Sequence, residues 1–189
     1  MARIQPVDPP YDQETGEQLA RMMPPGVEPI LLFRTFAKNP SMAAAIGPWG
    51  SYELSRKLSL SMRDREILID RTCARCRCEY EWGVHIAFFA GRVGLTATQI
   101  ASITHGSEVD VCWADERDRL LIRTADALHD HATIDDALHD HLAVEFTENE
   151  LLDIYMLCGW YHAISYAANA AGVDLEPGAP TFLDHEPAG

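Results

Sequence analysis

Three stretches of this chain open with the same local signal for the start of a helix. Ser61–Asp64, Thr96–Gln99 and Thr147–Glu150 each place a hydroxyl residue three positions before an acidic or amide residue. Such a pair satisfies backbone N–H groups that the first turn of a helix leaves unpaired. Apolar residues recur at helical spacing after each signal, and no segment shows convincing alternation with a period of two. The sequence therefore predicts an all-α fold.

The boundaries of the other segments are predicted from helix-breaking residues and from composition. Residues 1–29 are rich in proline, and we interpret them as an N-terminal arm that wraps a neighbour and contains one short helix near 14–23. Residues 30–175 are expected to form one helical domain, as the chain length of 189 residues favours. The Pro/Gly-rich residues 176–189 are expected to be a loose C-terminal tail. The other helices are predicted at about 29–38, 41–51, 61–77, 78–91, 96–103, 114–131, 134–144 and 147–172.

The charge balance limits the possible partners. The chain has 15 Lys and Arg residues and 29 Asp and Glu residues, which gives a formal net charge of -14 at pH 7. Such a surface repels nucleic acid and anionic lipid, so neither partner is expected. No apolar run approaches the roughly 20 residues that span a bilayer, and no apolar signal segment precedes the first prolines. We expect a cytoplasmic protein with a small-molecule substrate.

The segment between Glu66 and His85 carries the clearest chemical signal. Cys78, Glu81 and His85 lie at i, i+3 and i+7, which places a thiol, a carboxylate and an imidazole on one helix face. Such a set can transfer protons or perform thiol chemistry. The i, i+4 spacing allows Glu81 to orient the His85 ring and raise its pKa. Glu66, on the preceding helix, is expected to reach the same pocket as a proton relay.

The residues around Cys78 indicate how this site would bind and react. Cys78 falls at the predicted start of a helix, a position that favours the thiolate and a low pKa. Arg75 and Arg77 add positive charge, which also favours the thiolate and attracts an anionic substrate. Tyr80 and Trp82 are expected to shape the pocket.

Two other motifs were considered as metal sites. Cys73-Ala74-Arg75-Cys76 is a C-x-x-C, a common metal or redox signature, but no second motif follows at zinc-finger spacing. The sequence D-A-L-H-D-H occurs at 126–131 and again at 136–141. The two histidines of each copy are two residues apart and do not share a helix face. We therefore predict no metal and no cofactor, and we interpret the repeat as exposed helix ends.

The central segment resembles the helical hairpin of the carboxymuconolactone decarboxylase and alkyl hydroperoxidase D (AhpD-like) superfamily. The resemblance lies in Arg65-Glu66, in C-E-Y-E-W-G-V-H and in the following A-F-F-A-G-R-V-G-L-T-A-T-Q-I. Y-E-W-x-x-H is typical of the decarboxylase-like branch, whose C-terminal helix resembles L-L-D-I-Y-M-L-C-G-W-Y-H. The match covers most of residues 30–175. It implies an AhpD-like helical bundle with a central helical hairpin, assembled as a trimer or hexamer.

The chain departs from the redox members of this superfamily at one position. Those members carry C-x-x-C-x-x-x-H with an upstream glutamate and cycle two thiols against a peroxide. Alignment on His85 puts the upstream glutamate at Glu66, the first cysteine at Cys78 and the second, peroxide-attacking cysteine at Glu81. A carboxylate cannot be oxidised to a sulfenate, so that cycle is not available at these positions.

Three functions follow from the sequence. The favoured one is a carboxymuconolactone decarboxylase-like enzyme that performs cofactor-free acid/base chemistry on a small organic acid or lactone, with His85 as the general acid/base. The alternative is an AhpD-like thiol peroxidase that uses Cys78 with Cys73 or Cys76 and requires an accessible, low-pKa thiol. The third is a non-catalytic helical oligomer in which Glu81 and His85 form a structural salt bridge.

Overall fold

The computed structural model describes residues 2–24 and 26–186. Within those residues the chain forms nine α-helices and no β-strand, which confirms the predicted all-α class. A π-helical turn (Ile86–Ala90) extends the fifth helix, and a 3-10 turn (Phe182–His185) lies near the C-terminus. No helix of the described part is both long and apolar enough to cross a bilayer. The α-helices are α1 (Gln13–Met22), α2 (Leu31–Phe36), α3 (Pro40–Glu53), α4 (Met62–Arg75), α5 (Glu79–His85), α6 (Ala97–His105), α7 (Glu116–His131), α8 (Asp136–Glu145) and α9 (Glu148–Ala171).

Local capping chemistry sets where the long helices begin and end. Ser61, Thr96 and Thr147 each accept a hydrogen bond from the backbone three residues on, and the side chain there bonds back to the cap. These are the three capping boxes that the sequence predicts. Gly172 ends α9 with a φ of 64°, a left-handed conformation that glycine adopts without steric cost.

Helix α4 is the centre of the fold, because it packs against α5, α6, α7 and α9. Every residue from Asp64 to Cys73 is buried, and the run Ile67–Ile69 is completely so. A helix enclosed on all sides also buries its polar residues, and burial is costly for those that are not paired. The charged side chains of α4 therefore hold its neighbours in place.

Arg71 is the clearest case of a buried charge that joins helices. Its side chain is 4% exposed, and it binds both carboxylate oxygens of Asp126 on α7 at 2.7 Å. The Nη1 group donates to the backbone carbonyls of Ile103 and Gly106 at 2.8 and 3.0 Å. One guanidinium thus ties α4 to α7 and to the C-terminal end of α6.

The C-terminal segment packs onto the α4–α5 hairpin, which differs from the loose tail that its composition predicts. The Tyr80 hydroxyl donates to Glu176 at 2.6 Å, and the Phe182 ring lies edge-on to Trp82 with centroids 5.0 Å apart. The physical reason is that these contacts cover two buried aromatic side chains of α5. Residues 187–189 of the predicted tail lie outside the described part of the chain.

The N-terminal arm packs against other segments of the same chain. The backbone N–H of Arg3 donates to the carbonyl of Ala171 at 2.7 Å, and Val7 donates to the carbonyl of Arg34 at 3.1 Å. The short helix expected in the arm is α1. Met1 and Pro25 lie outside the described residues, and the wrapping of a neighbouring subunit stays a prediction.

Arg71→Ala is expected to lower the free energy of unfolding by about 3 kcal/mol, because it leaves a carboxylate and two buried carbonyls without their donor. Arg75→Ala is the matched control. Arg75 lies one turn further along α4, pairs with Asp130, and has a side chain that is 31% exposed. Exposed pairs contribute less than about 1 kcal/mol. Urea unfolding measures both, and equal losses would contradict the assigned role of Arg71.

Candidate active site

His85 is the centre of a buried group of acid/base side chains. It ends α5 and is 3% exposed. Its Nδ1 lies 2.7 Å from Oε2 of Glu66 on α4. Its Nε2 lies 3.1 Å from the hydroxyl of Tyr161 on α9 and 3.6 Å from Oε1 of Glu81. The structure therefore brings Glu66, Glu81 and His85 together, with Glu66 rather than Glu81 as the close partner of the ring.

The surroundings of His85 favour its charged form. Burial disfavours the imidazolium, but the Glu66 carboxylate with its hydrogen bond, and then Glu81, outweigh burial and raise the pKa of His85 to about 10. An imidazolium donates from both nitrogens. Nδ1–H then donates to Glu66, and Nε2–H donates to the Tyr161 oxygen, with Glu81 nearby. The Tyr161 proton is left free to point elsewhere.

Glu66 is fixed by a cation on each oxygen. Nε of Arg65 donates to Oε1 at 2.7 Å, and Nη2 lies 2.5 Å from the same atom, while His85 takes Oε2. The Glu66 side chain is 0% exposed. The Arg65 guanidinium is itself held over the Phe89 ring, 5.1 Å from its centroid. The carboxylate cannot rotate without breaking a charged hydrogen bond.

Sequence reasoning missed Asp70 and Tyr161. Asp70 lies one turn after Glu66 on α4, is 1% exposed, and has no hydrogen-bond partner for either carboxyl oxygen among the described residues. Burial, with the charge of Glu66, raises the pKa of Asp70 well above its usual range, although His85 opposes this. Burial therefore favours the neutral form of the Asp70 carboxyl group. The i, i+4 spacing of Glu66 and Asp70 inside an apolar run could have revealed it, whereas no local signal marks Tyr161.

Glu66, Asp70 and His85 each place one possible ligand atom within 4.8 Å of the other two, a spacing at which metals are also bound. The hydrogen bonds of Glu66 and His85 favour an acid/base group over a metal site. Both oxygens of Glu66 already bind cationic groups, and an imidazolium has no free lone pair for a metal. A hydrogen-bonded acid/base group fits these residues better.

A cavity of about 740 Å³ adjoins this group between α1, α2, α3 and α9. Glu81 and Tyr161 belong to both the cavity wall and the acid/base group, so they connect the two. Oε2 of Glu81 is buried and has no hydrogen-bond partner among the described residues. The remaining wall is mostly apolar. The lining residues are Gln18, Arg21, Met22, Leu32, Phe33, Phe36, Ala43, Ala44, Ile46, Gly47, Pro48, Gly50, Ser51, Leu54, Glu81, Trp160, Tyr161 and Ile164.

The four residues predicted to bind substrate do not line this cavity. Arg75 pairs with carboxylates of α7, and Arg77 is exposed at the turn between α4 and α5, where its φ is 53°. Tyr80 bonds to the C-terminal segment, and Trp82 is fully buried against it. The cause is geometric, since α5 turns the face with Glu81 toward the cavity and its other faces elsewhere.

The thiols near this site differ from the expected reactive thiolate. Cys78 precedes α5 and is 0% exposed. Burial raises the pKa of Cys78 to about 11; the backbone N–H of Glu81 opposes this shift, and the Glu81 charge adds to it. Burial likewise raises the pKa of Cys73 well above its usual range. The predicted low pKa of Cys78 is therefore wrong, because desolvation outweighs the effect of the helix N-terminus.

Comparison with known proteins gives one family match and several structures of similar fold. Residues 40–125 match the carboxymuconolactone decarboxylase family. The fold is similar to that of an uncharacterized peroxidase-related protein from Silicibacter sp. TM1040, with a TM-score of 0.75 and 17% identity over 95% of this chain and 96% of that chain. Among curated proteins, none matches the sequence.

The fold is also similar to that of the debrominase Bmp8. A cysteine-to-alanine variant of Bmp8 in complex with 2,3,4-tribromopyrrole gives a TM-score of 0.73 and 17% identity, over 96% of this chain and 95% of that chain. The apo form gives 0.69 and 19%, over 92% and 91%. The family match over residues 40–125 and the shared helical fold confirm the predicted resemblance to the carboxymuconolactone decarboxylase and AhpD-like superfamily.

Proposed function

We propose that the protein is an acid/base enzyme that acts on a small, largely apolar organic acid or lactone held in the cavity. The observation that carries the proposal is the position of Tyr161 and Glu81, which line the cavity with the His85 imidazolium directly behind them. A cavity of this size and apolar character suits a small organic molecule. A proton donor and a proton acceptor at its wall suit acid/base catalysis.

Proton delivery from Tyr161 is the proposed chemical step. The carbon–carbon bond between the carboxylate and the rest of the substrate breaks, and CO2 leaves. The electron pair of that bond enters the conjugated system of the substrate. The Tyr161 hydroxyl then protonates the substrate carbon, and the Nε2 proton of His85 moves to the Tyr161 oxygen. Burial and the charges of Glu81 and Glu66 raise the pKa of Tyr161 well above its usual range, so the hydroxyl is protonated before the step. The ring finally regains a proton from solvent.

Glu81 and Arg21 have complementary roles in this proposal. Glu81 is the anion of the cavity wall and stabilises the His85 imidazolium from the substrate side. Arg21, at the C-terminal end of α1, is the cation among the described residues that line the cavity. It supplies the positive charge for a substrate carboxylate that the sequence assigned to Arg75 and Arg77.

The thiol-peroxidase alternative has less support. It needs an accessible thiolate, but Cys73 and Cys78 are fully buried and burial raises the pKa of each. The carboxylate of Glu81 occupies the position of the attacking thiol and stabilises the neutral form of Cys78 further.

The His85 ring is expected to stay protonated through neutral pH and to lose its proton near pH 10. Because the folded-state pKa lies above the ordinary value of 6.5, the resulting stability is complete below pH 6.5 and is lost as the pH rises to about 10. A ¹⁵N NMR titration of the ring measures the pKa directly. Glu66→Gln should lower the pKa of His85. The control is Glu79→Gln, which lies on α5 as His85 does. A ring that titrates near 6.5 would contradict the proposed donor.

Turnover is tested with a panel of small unsaturated lactone acids in D2O, with NMR to follow loss of the carboxyl group and deuterium entry at carbon. Tyr161→Phe should lower the rate by roughly 10²–10⁴-fold, the usual contribution of a positioned general acid. Tyr166→Phe, an exposed change on the same helix, is the control. Activity that survives Tyr161→Phe unchanged would exclude Tyr161 as the donor.

Thiol chemistry is tested on the same protein. Cys73 and Cys78 are expected to resist alkylation in the folded state, since both are 0% exposed. Hydroperoxide turnover with a dithiol reductant is expected to be absent, and Cys78→Ser should leave the acid/base activity intact. Peroxide turnover that Cys78→Ser abolishes would instead establish the thiol-peroxidase alternative.

A further inference from the structure

A second group of reactive side chains lies outside the cavity. Cys76 follows the last residue of α4, His129 lies in the last turn of α7, and His162 lies in the middle of α9. All three are partly exposed. They are far apart in the sequence, so only the packing of these helices brings them together.

The donor atoms of this group converge on one point. Nδ1 of His129 lies 3.1 Å from Nε2 of His162 and 3.8 Å from Sγ of Cys76, and all three atoms lie within 4.8 Å of one another. Tetrahedral zinc, with Zn–N near 2.0–2.1 Å and Zn–S near 2.3 Å, needs separations of about 3.3 Å between nitrogens and about 3.6 Å between nitrogen and sulfur. The distance between the two nitrogens and the distance from Sγ of Cys76 to Nδ1 of His129 are close to these values.

The hydrogen bonds around the group fix which nitrogen of His162 carries its proton. Nδ1 of His162 lies 2.8 Å from the backbone carbonyl of Cys158, which can only accept, so Nδ1 carries the proton. The lone pair of His162 is therefore on Nε2, where it accepts a hydrogen bond from Nδ1–H of His129 in the metal-free protein. Histidines that bind metals are typically oriented by such a bond from their second nitrogen. The side chain of Asn169 also donates to the backbone carbonyl of Cys76 at 2.9 Å.

We infer that Cys76, His129 and His162 form a zinc site with one open position. A thiolate and two imidazoles are the donor types that zinc prefers, and three protein ligands leave the fourth position to water or a small ligand. Binding moves the Nδ1 proton of His129 to the Nε2 of the same ring, and it replaces the thiol proton of Cys76 with the metal and releases that proton. The ion joins the ends of α4 and α7 to α9, beside the left-handed turn at Arg77.

The repeated D-A-L-H-D-H motif gives this site an internal control. His129 is the first histidine of the first copy, and His139 is its counterpart in the second copy. His139 is exposed and lies outside the group. A change at His139 alters the same residue type in the same local sequence without touching the proposed ligands.

The test titrates Zn²⁺, and Co²⁺ as a spectroscopic probe, into chelator-treated protein whose thiols are fully reduced. Wild-type protein is expected to bind one ion per chain in competition with a chromogenic chelator, to melt at a higher temperature with Zn²⁺, and to show a thiolate-to-cobalt absorption band. Cys76→Ser should abolish that band. His129→Gln and His162→Gln should each weaken Zn²⁺ binding by at least about 100-fold, since losing even an outer-shell partner costs roughly 10–100-fold.

His139→Gln and Cys112→Ser are the controls and should bind Zn²⁺ as the wild type does. The melting curves of the metal-free variants show that each is folded. The inference is overturned if reduced wild-type protein binds neither ion, or if His139→Gln weakens binding as much as His129→Gln. No readout depends on turnover, so the result is independent of the proposed acid/base reaction.

Discussion

The buried pair of Glu66 and His85 is the interaction on which the rest of this structure depends. Removing a carboxylate and an imidazolium from water costs several kcal/mol for each ion, and only complete pairing offsets that cost. Arg65 covers one Glu66 oxygen, His85 covers the other, and Tyr161 accepts from the far side of the ring. These partners come from α4, α5 and α9, so the three helices must pack in one register. The same packing buries α4 completely between Asp64 and Cys73.

One substitution relative to the redox pattern of the family changes the chemistry in two ways. Glu81 occupies the position of the attacking thiol, and its negative charge acts on both neighbours. It favours the cationic form of His85 and disfavours the anionic form of Cys78. A carboxylate here therefore helps to keep His85 protonated and disfavours the Cys78 thiolate at the same time. The two effects have the same electrostatic origin, and burial of the Cys78 thiol raises its pKa further.

The parts of the fold that could be predicted from the sequence are those that depend on neighbouring residues. The starts of α4, α6 and α9 were predicted because a cap and its partner are three residues apart. The approach of Glu81 to His85 could also be predicted, because residues four positions apart share a helix face. Tyr161 and the cavity could not be predicted, because they arise where α9 meets α5 and the first three helices. The expectation of a reactive Cys78 failed because a helix N-terminus can be identified in a sequence, whereas the desolvation of a thiol depends on tertiary packing.

The cysteine-rich stretch shows how packing separates residues that the sequence groups together. Cys73 and Cys76 form a C-x-x-C, but α4 ends between them and they enter different environments. Cys73 is fully buried in the hydrophobic core, while Cys76 lies at the partly exposed end of the helix and faces His129 and His162. Nδ1 of His129 and Nε2 of His162 are 3.1 Å apart beside the Cys76 thiol. Nitrogen ligands at this spacing suit a metal ion, whereas a disulfide between two cysteines does not need them. The packing therefore separates the motif into one core thiol and one partly exposed thiol beside two imidazoles, an arrangement that differs from a redox pair.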